Sequence, residues 1–287
     1  MSNSVKRVLT ALVAVPFIYI ILLIGGLLYL LFILALIFVG QLEYRQILRS
    51  REIPFGVSGI VFSVLVGIGA YFGFISMNLV FIASVLLMLI FCLRRKEDVD
   101  ALRKMGGTLF GVVYIGLLLS HAILLRDLSS VGNVDTFSLN NLGLTDPGFF
   151  FVVFAVACTF VHDTSAYYTG VTAGKHKLAP NISPGKTIEG TIGGFVGCII
   201  TGVVVNFIFG DPLSSDWAVA LAILIALAAI FGDLVESAIK RGAGIKDSGD
   251  IVPGHGGVLD RFDSLIFVFP VTYYFALIFY NSQGVGF

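Results

Sequence analysis

Long apolar runs separated by short polar breaks dominate the chain. A helix needs about 20 apolar residues to cross about 30 Å of hydrocarbon, and the sequence offers nine candidate stretches of this kind. Two of them lie within the run Val8–Val39, and the others are at about Val57–Ile75, Asn78–Leu93, Thr108–Leu125, Gly148–Tyr168, Thr191–Phe209, Trp217–Ala238 and Ser264–Tyr280.

The run Val8–Val39 is too long for one membrane helix and is interrupted by Gly25 and Gly26. We therefore predict two helices joined by a tight turn at these glycines. Lys6 and Arg7 precede the run, but no small-residue cleavage site comes before the next span. This arrangement predicts a retained helix rather than a removed signal peptide.

The predicted fold is an all-α polytopic membrane bundle of about nine helices with a cytoplasmic N-terminus. Under this topology every Lys and Arg except Arg126 falls on the cytoplasmic side, as the positive-inside rule requires. We divide the chain into an N-terminal region of four spans (1–104) and a C-terminal catalytic region of five spans (105–287). The chain is compact and lacks a long N-terminal extension, which favours a bacterial inner membrane.

Composition supports a lipid environment, because 57% of the residues are hydrophobic and only 13% are charged. So few charges cannot cover the surface of a soluble protein of this size. The 18 basic and 18 acidic residues balance, so nothing indicates a nucleic-acid partner. Cys92, Cys158 and Cys198 lie in apolar runs without zinc-type spacing and are predicted to be small buried hydrophobes.

Polar residues that could take part in catalysis or binding are concentrated in two predicted cytoplasmic segments, 162–194 and 233–264. The later segment begins on a helix face that carries Asp233, Glu236, Ser237, Lys240 and Arg241 at helical spacing. An amphipathic helix end with internal ion pairs and snorkelling cations would have the same pattern. Charged groups at the edge of the hydrocarbon are costly, however, and usually mark function.

The same segment returns carboxylates at Asp260 and Asp263, at the start of the next helix. With Asp233 and Glu236 they could form an oxygen-rich site suited to Mg²⁺. The neighbouring cations suit phosphate oxygens, and abundant glycines let backbone N–H groups approach an anion; the cations are Lys240, Arg241, Lys246 and Arg261. These features predict metal-assisted phosphoryl or nucleotidyl transfer.

The earlier segment ends at a helix N-terminus that can hold phosphate. Ser183 or Thr187 is predicted to cap this helix, with Lys186 and Glu189 beside it. A Walker A loop is excluded because Pro180 stands where its first glycine is required. Asp163 is a further acidic candidate, whereas the adjacent His162 is interpreted as an interfacial histidine rather than a metal ligand.

The later segment resembles the signature of phosphatidate cytidylyltransferases, also called CDP-diacylglycerol synthases. The matching residues are Ser237-x-x-Lys240-Arg241, Lys246-Asp247-x-Gly249, Pro253-Gly254-His255-Gly256-Gly257 and Asp260-Arg261-x-Asp263. The earlier segment is similar to a second block of that family, through Asp163, Tyr167, Gly170, Gly174, Leu178, Pro180, Ser183, Pro184, Lys186, Thr187, Glu189 and Gly190. Gly185 differs from relatives, which often have a second basic residue there.

The resemblance implies transfer of CMP from CTP to phosphatidic acid, giving CDP-diacylglycerol and pyrophosphate, in a membrane enzyme that requires Mg²⁺ and forms a homodimer. It leaves open whether a second cation assists. Asp233 and Asp260 would hold the metal, with Glu236, Asp247 or Asp263 assisting, while Lys240, Arg241, Lys246 and Arg261 would bind phosphates. His255 would be either a phosphate donor or a turn residue. Substrate binding would involve Asp163, Tyr167, Ser183, Lys186, Thr187, Glu189 and Ser237.

Two alternatives remain at this point. A CTP-dependent polyprenol or other lipid kinase shares the need for a nucleotide and a lipid, but lacks the His-Gly-Gly block. An ion-coupled transporter also carries intramembrane carboxylates and broken helices, although here the charges cluster at one face of the membrane. A CDP-alcohol phosphotransferase is disfavoured because its Asp-Gly-x-x-Ala-Arg pattern is absent.

Overall fold

The computed structural model describes residues 16–93, 99–128, 146–245, 247–249 and 256–284. Its first elements are a helix whose described residues are 16–24 (α1), α2 (Gly26–Arg49), α3 (Val57–Tyr71), α4 (Phe74–Leu93), α5 (Val99–Gly111), a π-helix (Val112–Leu117) and α6 (Leu118–Arg126). Its later elements are α7 (Pro147–Ala173), strands β1 (Lys177–Ala179) and β2 (Ser183–Thr187), α8 (Ile188–Ile208), α9 (Ser215–Ala243) and α10 (Leu259–Ser282).

The predicted all-α membrane fold is confirmed. Within the described ranges, seven helical stretches are long and apolar enough to cross a membrane: α2, α4, the continuous helix through α5 and α6, α7, α8, α9 and α10. Helices α1 and α3 occupy the positions of the other two predicted spans. Because α3 has only 15 residues, it extends about 22 Å, and the total of nine spans stays a prediction.

The predicted helix break at Gly25 and Gly26 is confirmed. Both residues have positive φ angles, 63° and 53°, a conformation that a residue without a Cβ adopts at little cost. The amide of Gly25 still donates to the carbonyl of Ile21 at 2.9 Å, and Gly25 accepts from the amide of Tyr29 at 3.3 Å. The break therefore interrupts the helix while these two hydrogen bonds at the helix ends are kept.

Helix α2 runs ten residues beyond Val39, where the apolar run ends, and stops at Arg49. The sequence prediction ended too early because the polar residues that follow are buried within the protein: Gln41 is 0% and Glu43 1% exposed. Gln41 Nε2 donates to Ser63 Oγ at 2.7 Å and to the carbonyl of Gly111 at 2.6 Å, immediately before the π-helix. Buried polar groups are tolerated when they find such partners.

The chain forms two compact units. The first comprises Met1–Leu124 and Lys240–Phe262, and the second comprises Leu125–Ile239 and Asp263–Phe287. Our sequence-based division at residue 104 instead groups the predicted membrane spans along the chain, and it stays a prediction.

Glycines allow α7 and α8 to pack closely in the second unit. A Cβ on Gly190 would lie 2.7 Å from the carbonyl oxygen of Ala166, and one on Gly194 would lie 2.7 Å from His162 Nε2. Added methyl groups at Gly193 and Gly197 would also collide with α7 side chains. Small residues commonly line membrane helix interfaces because they let two backbones approach. This packing holds the two ends of the β-hairpin segment between α7 and α8.

Arg126, the one basic residue outside the predicted cytoplasmic side, forms an ion pair with Asp146. Asp146 is the N-cap of α7, and its Oδ1 accepts from the amides of Gly148 at 2.9 Å and Phe149 at 3.4 Å. The Arg126 guanidinium also lies 5.8 Å from the centre of the Phe149 ring. These contacts give the exceptional cation a local structural role.

The predicted burial of two cysteines is confirmed. Cys158 and Cys198 are both buried and carry free thiols. Cys198 Sγ donates to the carbonyl of Ala222 at 3.1 Å, so the thiol packs as a small core residue. The side chain of Cys92 lies outside the described residues.

Candidate active site

A short β-hairpin connects α7 to α8. Strands β1 and β2 are antiparallel, with Lys177 opposite Thr187 and Ala179 opposite Ser183. Thr187 then caps α8, because its Oγ1 accepts from the amide of Gly190 at 3.1 Å. The structure thus selects Thr187 rather than Ser183 as the helix cap, and Ser183 lies at the far end of β2.

Glu189, in the first turn of α8, braces the base of this hairpin. Its Oε2 accepts from the backbone amides of Lys175 at 3.0 Å and His176 at 3.2 Å. Its Oε1 lies 2.6 Å from His176 Nδ1. A carboxylate that receives several N–H groups fixes the backbone around it, so Glu189 orders the segment that carries Ser183 and Lys186.

Lys186 links the hairpin to α9 within the second unit. Its Nζ lies 2.6 Å from Asp233 Oδ2, and the two side chains are 25% and 31% exposed. Ser237 Oγ, one helical turn after Asp233, donates to Asp233 Oδ1 at 3.2 Å. The structure therefore brings together Lys186, Asp233 and Ser237 from the two segments singled out in the sequence. Glu236, on the same helix, is only 1% exposed.

The acidic end of α7 is more open. The Asp163 side chain is 47% exposed, and its Oδ1 lies 3.1 Å from His162 Nδ1. The His162 side chain is only 4% exposed and packs against Gly194, which agrees with an interfacial histidine. Tyr167 is 65% exposed, and its ring contacts that of Tyr168 at 5.5 Å between centres. Neither Asp163 nor Tyr167 has a described contact with Lys186 or Asp233.

In the first unit, Asp260 is the centre of a second polar cluster. Its Oδ1 lies 2.7 Å from Lys240 Nζ, and the side chains are 10% and 14% exposed. Its Oδ2 accepts from the amides of Ser248 at 3.0 Å and Gly257 at 2.9 Å. Asp260 consequently joins the end of α9, the following loop and the start of α10.

Glu43 was not identified from the sequence and lies beside this cluster. Its carboxylate accepts from the amides of Val258 at 2.8 Å and Leu259 at 2.7 Å, and from Ser248 Oγ at 3.2 Å. One signal was present: Gln41 and Glu43 follow an apolar run at a helix end where charges are costly. Its partners lie more than 200 positions away in the chain, so the pairing could not be read from spacing.

The remaining predicted residues differ in exposure. Arg241, Asp247 and Arg261 are exposed, and Asp263 Oδ1 accepts from the amide of Ser264 at 2.7 Å. Lys246 and His255 lie outside the described residues, so their roles stay predictions.

The described ranges contain no group of three or more His, Cys, Asp or Glu side chains arranged to hold a metal ion. The predicted ligands Asp233, Glu236 and Asp260 therefore stay a prediction. Magnesium commonly binds through one or two carboxylates, with substrate phosphates and water completing its octahedron. The partly exposed Asp233 fits that smaller role. Asp260 already accepts from Lys240, Ser248 and Gly257, so both of its oxygens are engaged within the protein.

These features define a class of protein. It is a helical membrane protein with lysine–carboxylate pairs at helix ends, a helix N-terminus preceded by a lysine, and Gly-rich connections. Partly exposed ammonium groups bind phosphate oxygens, and carboxylates beside them position those lysines or a cation. The arrangement suits a reaction of phosphate esters at the membrane edge.

Comparison with known proteins agrees with this class. Residues 5–279 match the model of the cytidylyltransferase family, and the chain belongs to that family of nucleotidyltransferases. It is 29% identical to the phosphatidate cytidylyltransferase of Bacillus subtilis, over 97% of this chain and 100% of that protein. It is 34% identical to the phosphatidate cytidylyltransferase of Staphylococcus epidermidis, over 92% of this chain and 96% of that protein.

A plant relative extends the comparison. The chain is 32% identical to the chloroplastic phosphatidate cytidylyltransferase 4 of Arabidopsis thaliana, over 91% of this chain and 70% of that protein. The family match over residues 5–279 includes both segments singled out in the sequence, 162–194 and 233–264.

Proposed function

We propose that this protein is a phosphatidate cytidylyltransferase, which transfers CMP from CTP to phosphatidic acid and yields CDP-diacylglycerol and pyrophosphate. The family membership and the names of near-full-length relatives support this activity. The structural observation that carries it is the Lys186–Asp233 ion pair at 2.6 Å. This pair gives the helical membrane protein a solvent-accessible site for a phosphate and its counter-ion.

The reaction forms one P–O bond and breaks another. An oxygen of the phosphatidate phosphate attacks the α-phosphorus of CTP, and the bond between the α-phosphorus and the bridging oxygen breaks. Pyrophosphate leaves with that oxygen and its electron pair. The nucleophile is already an anion, so the protein needs no covalent nucleophile. Catalysis then consists mainly of positioning and charge neutralisation.

The described side chains divide these tasks. Lys186 binds a phosphate oxygen, and Asp233 with Ser237 fixes the ammonium group. Lys240 provides a second cation, which Asp260 holds at the end of α9. Arg241 and Arg261 are exposed and neutralise further phosphate charge. Thr187 and Glu189 hold the α8 N-terminus and the hairpin in place, as their hydrogen bonds indicate.

Mg²⁺ is the proposed cofactor, with Asp233 as its proposed protein ligand in the second unit. When bound, it would neutralise charge on the CTP phosphates and on the departing pyrophosphate.

The finer assignments follow from charge distribution and chemistry. We propose that the site faces the cytoplasm, because basic residues accumulate on that side under the positive-inside rule and because CTP is a polar cytoplasmic substrate. The lipid substrate would enter laterally from the bilayer, since its acyl chains are apolar. We also propose that the protein works as a homodimer in a bacterial inner membrane.

Product analysis provides the direct test. The purified protein in detergent is supplied with CTP labelled on the α-phosphate, Mg²⁺ and phosphatidic acid. We expect label in the organic phase together with release of pyrophosphate. With a polyprenol and CTP labelled on the γ-phosphate, label in the lipid and release of CDP would instead indicate a kinase. Absence of both reactions would contradict the enzymatic assignment and favour a transporter.

A further inference from the structure

Helix α2 contributes a buried carboxylate to the first-unit polar cluster. Glu43 is 1% exposed, yet both of its oxygens are used: Oε1 accepts from the amide of Val258 at 2.8 Å, and Oε2 accepts from the amide of Leu259 at 2.7 Å. These amides lie at the N-terminus of α10, where intrahelical acceptors are missing. A negative charge there also interacts favourably with the helix dipole.

Ser248 connects Glu43 to Asp260. Its hydroxyl donates to Glu43 Oε2 at 3.2 Å, and its amide donates to Asp260 Oδ2 at 3.0 Å. Ser248 is itself 3% exposed. The two carboxylates therefore bind different groups of the same residue: Glu43 accepts from the Ser248 hydroxyl, and Asp260 accepts from the Ser248 amide. The other oxygen of Asp260 accepts from Lys240 Nζ.

Glycines make room for the Glu43 carboxylate at both ends of the loop. A Cβ on Gly257 would lie 2.7 Å from Glu43 Oε2, and one on Gly249 would lie 3.0 Å from Glu43 Oε1. The amide of Gly257 in turn donates to Asp260 Oδ2 at 2.9 Å. The backbone at Gly249 and Gly257 thus lies close around the Glu43 carboxylate.

The end of α2 makes further contacts with the same segment. Ser50 Oγ donates to the carbonyl of Ala243 at 3.2 Å, at the C-terminus of α9. Gly244 follows with φ +74°, and a Cβ there would lie 3.2 Å from Arg51 Nη2. The C-terminal part of α2 and the residue after it therefore contact the C-terminus of α9 and the N-terminus of α10.

We propose that Glu43 is a positioning residue for the transfer reaction. It fixes the backbone of residues 257–259 and, through Ser248, the orientation of Asp260 and its partner Lys240. This inference rests on the proposed function and adds to it a residue of the N-terminal helices, outside both segments identified from the sequence. Glu43 touches no reacting atom and acts through Asp260.

The main variant is Glu43→Gln, which keeps the size of the side chain but replaces one acceptor oxygen with an NH₂ donor. In either orientation that NH₂ group would face the backbone N–H of Val258 or Leu259, so the α10 N-terminus would shift. Misplacement of a catalytic group can cost about 10²-fold. We expect kcat for CDP-diacylglycerol formation to fall by about 10²-fold, with the KM for CTP changed by less than about threefold.

Gln41→Ala is the matched control. Gln41 is a buried polar residue on the same helix, but its bonds go to Ser63 and Gly111 rather than to the loop. We expect the control to lower Tm in detergent while kcat stays within about twofold of the parent. If both variants lose kcat in proportion to their loss of Tm, Glu43 is merely structural and the proposal is overturned.

Ser248→Ala supplies a second variant in case Glu43→Gln does not fold. It removes only the hydroxyl link between the two carboxylates, and we expect kcat to fall by about three- to tenfold. When both substitutions are combined, their effects on kcat should be less than additive, because they interrupt one connection. Unchanged kcat in Ser248→Ala and in folded Glu43→Gln overturns the proposal. An inactive parent protein contradicts the proposed function itself, which separates the two failures.

Discussion

Lys186 Nζ lies 2.6 Å from Asp233 Oδ2, which joins the hairpin before α8 to the C-terminal half of α9. Both side chains are partly exposed, and ion pairs of that kind contribute only about 0–1 kcal/mol to stability. Folding therefore gains little from this pair. An accessible lysine and carboxylate at this position are better explained by binding of a charged substrate and its cation.

Removing either charge of this pair should abolish turnover without unfolding the protein. For Asp233→Asn and Lys186→Met we expect kcat/KM to fall by about 10²–10³-fold, as when one charge-stabilising group is lost from an active site. Membrane insertion and Tm in detergent should stay near those of the parent protein. Transfer of labelled CMP to the organic phase measures the change.

Lys175→Met is the matched control for Lys186→Met. Lys175 lies in the same segment and is exposed, and its described contact with Glu189 uses the backbone amide rather than the ammonium group. We expect its activity to stay within about twofold of the parent. Near-normal turnover in Lys186→Met or Asp233→Asn would remove the pair from the proposed site.

The proposed magnesium requirement gives a separate prediction. Chelation should stop CDP-diacylglycerol formation, and added Mg²⁺ should restore it. In Glu189→Gln, whose carboxylate braces the hairpin and is not a predicted metal ligand, the Mg²⁺ concentration for half-maximal activity should stay unchanged. In Asp233→Glu that concentration should rise by about tenfold or more, because an altered ligand weakens metal affinity. Equal Mg²⁺ dependence in the parent and in Asp233→Glu would argue against Asp233 as a ligand.

Close packing of α7 and α8 predicts a large effect of a single methyl group. Gly190→Ala places a Cβ 2.7 Å from the carbonyl oxygen of Ala166, and backbone cannot move aside easily. We expect the free energy of unfolding to fall by about 1–3 kcal/mol, measured by thermal unfolding in detergent. Gly106→Ala is the control, because a Cβ on this glycine of α5 meets nothing within 4 Å. That substitution should be neutral or stabilise by about 0.4–1 kcal/mol.

The Asp146 cap of α7 should matter for stability and not for catalysis. Asp146→Ala removes the carboxylate that accepts from two backbone amides and that forms the ion pair with Arg126. We expect the free energy of unfolding in detergent to fall by about 1–2 kcal/mol, with kcat unchanged. Asp216→Ala is the control. Asp216 is an exposed acid in the first turn of α9, and its removal should lower the free energy of unfolding by at most about 0.5 kcal/mol. A fall in kcat of Asp146→Ala without a stability change would contradict this structural role.

Sequence patterns were most informative where the physics is local. The break at Gly25 and Gly26 was predictable because positive φ angles favour glycine, and helix α8 begins at Thr187, one of the two predicted caps. The end of α2 was predicted wrongly because hydropathy treats Gln41 and Glu43 as solvent-facing. Their burial depends on Ser63, Gly111 and the start of α10, which no local pattern contains.

Taken alone, the sequence determined that this is a polytopic helical membrane protein, and it predicted which two segments carry its chemistry. Hydrophobic run length, charge placement and residue order are properties of neighbouring positions, so they need no coordinates. Only the tertiary structure decided that Lys186 pairs with Asp233, that Asp260 holds Lys240, and that Glu43 closes the first-unit cluster. Those contacts join residues far apart in the chain, and their geometry exists only after the helices have packed.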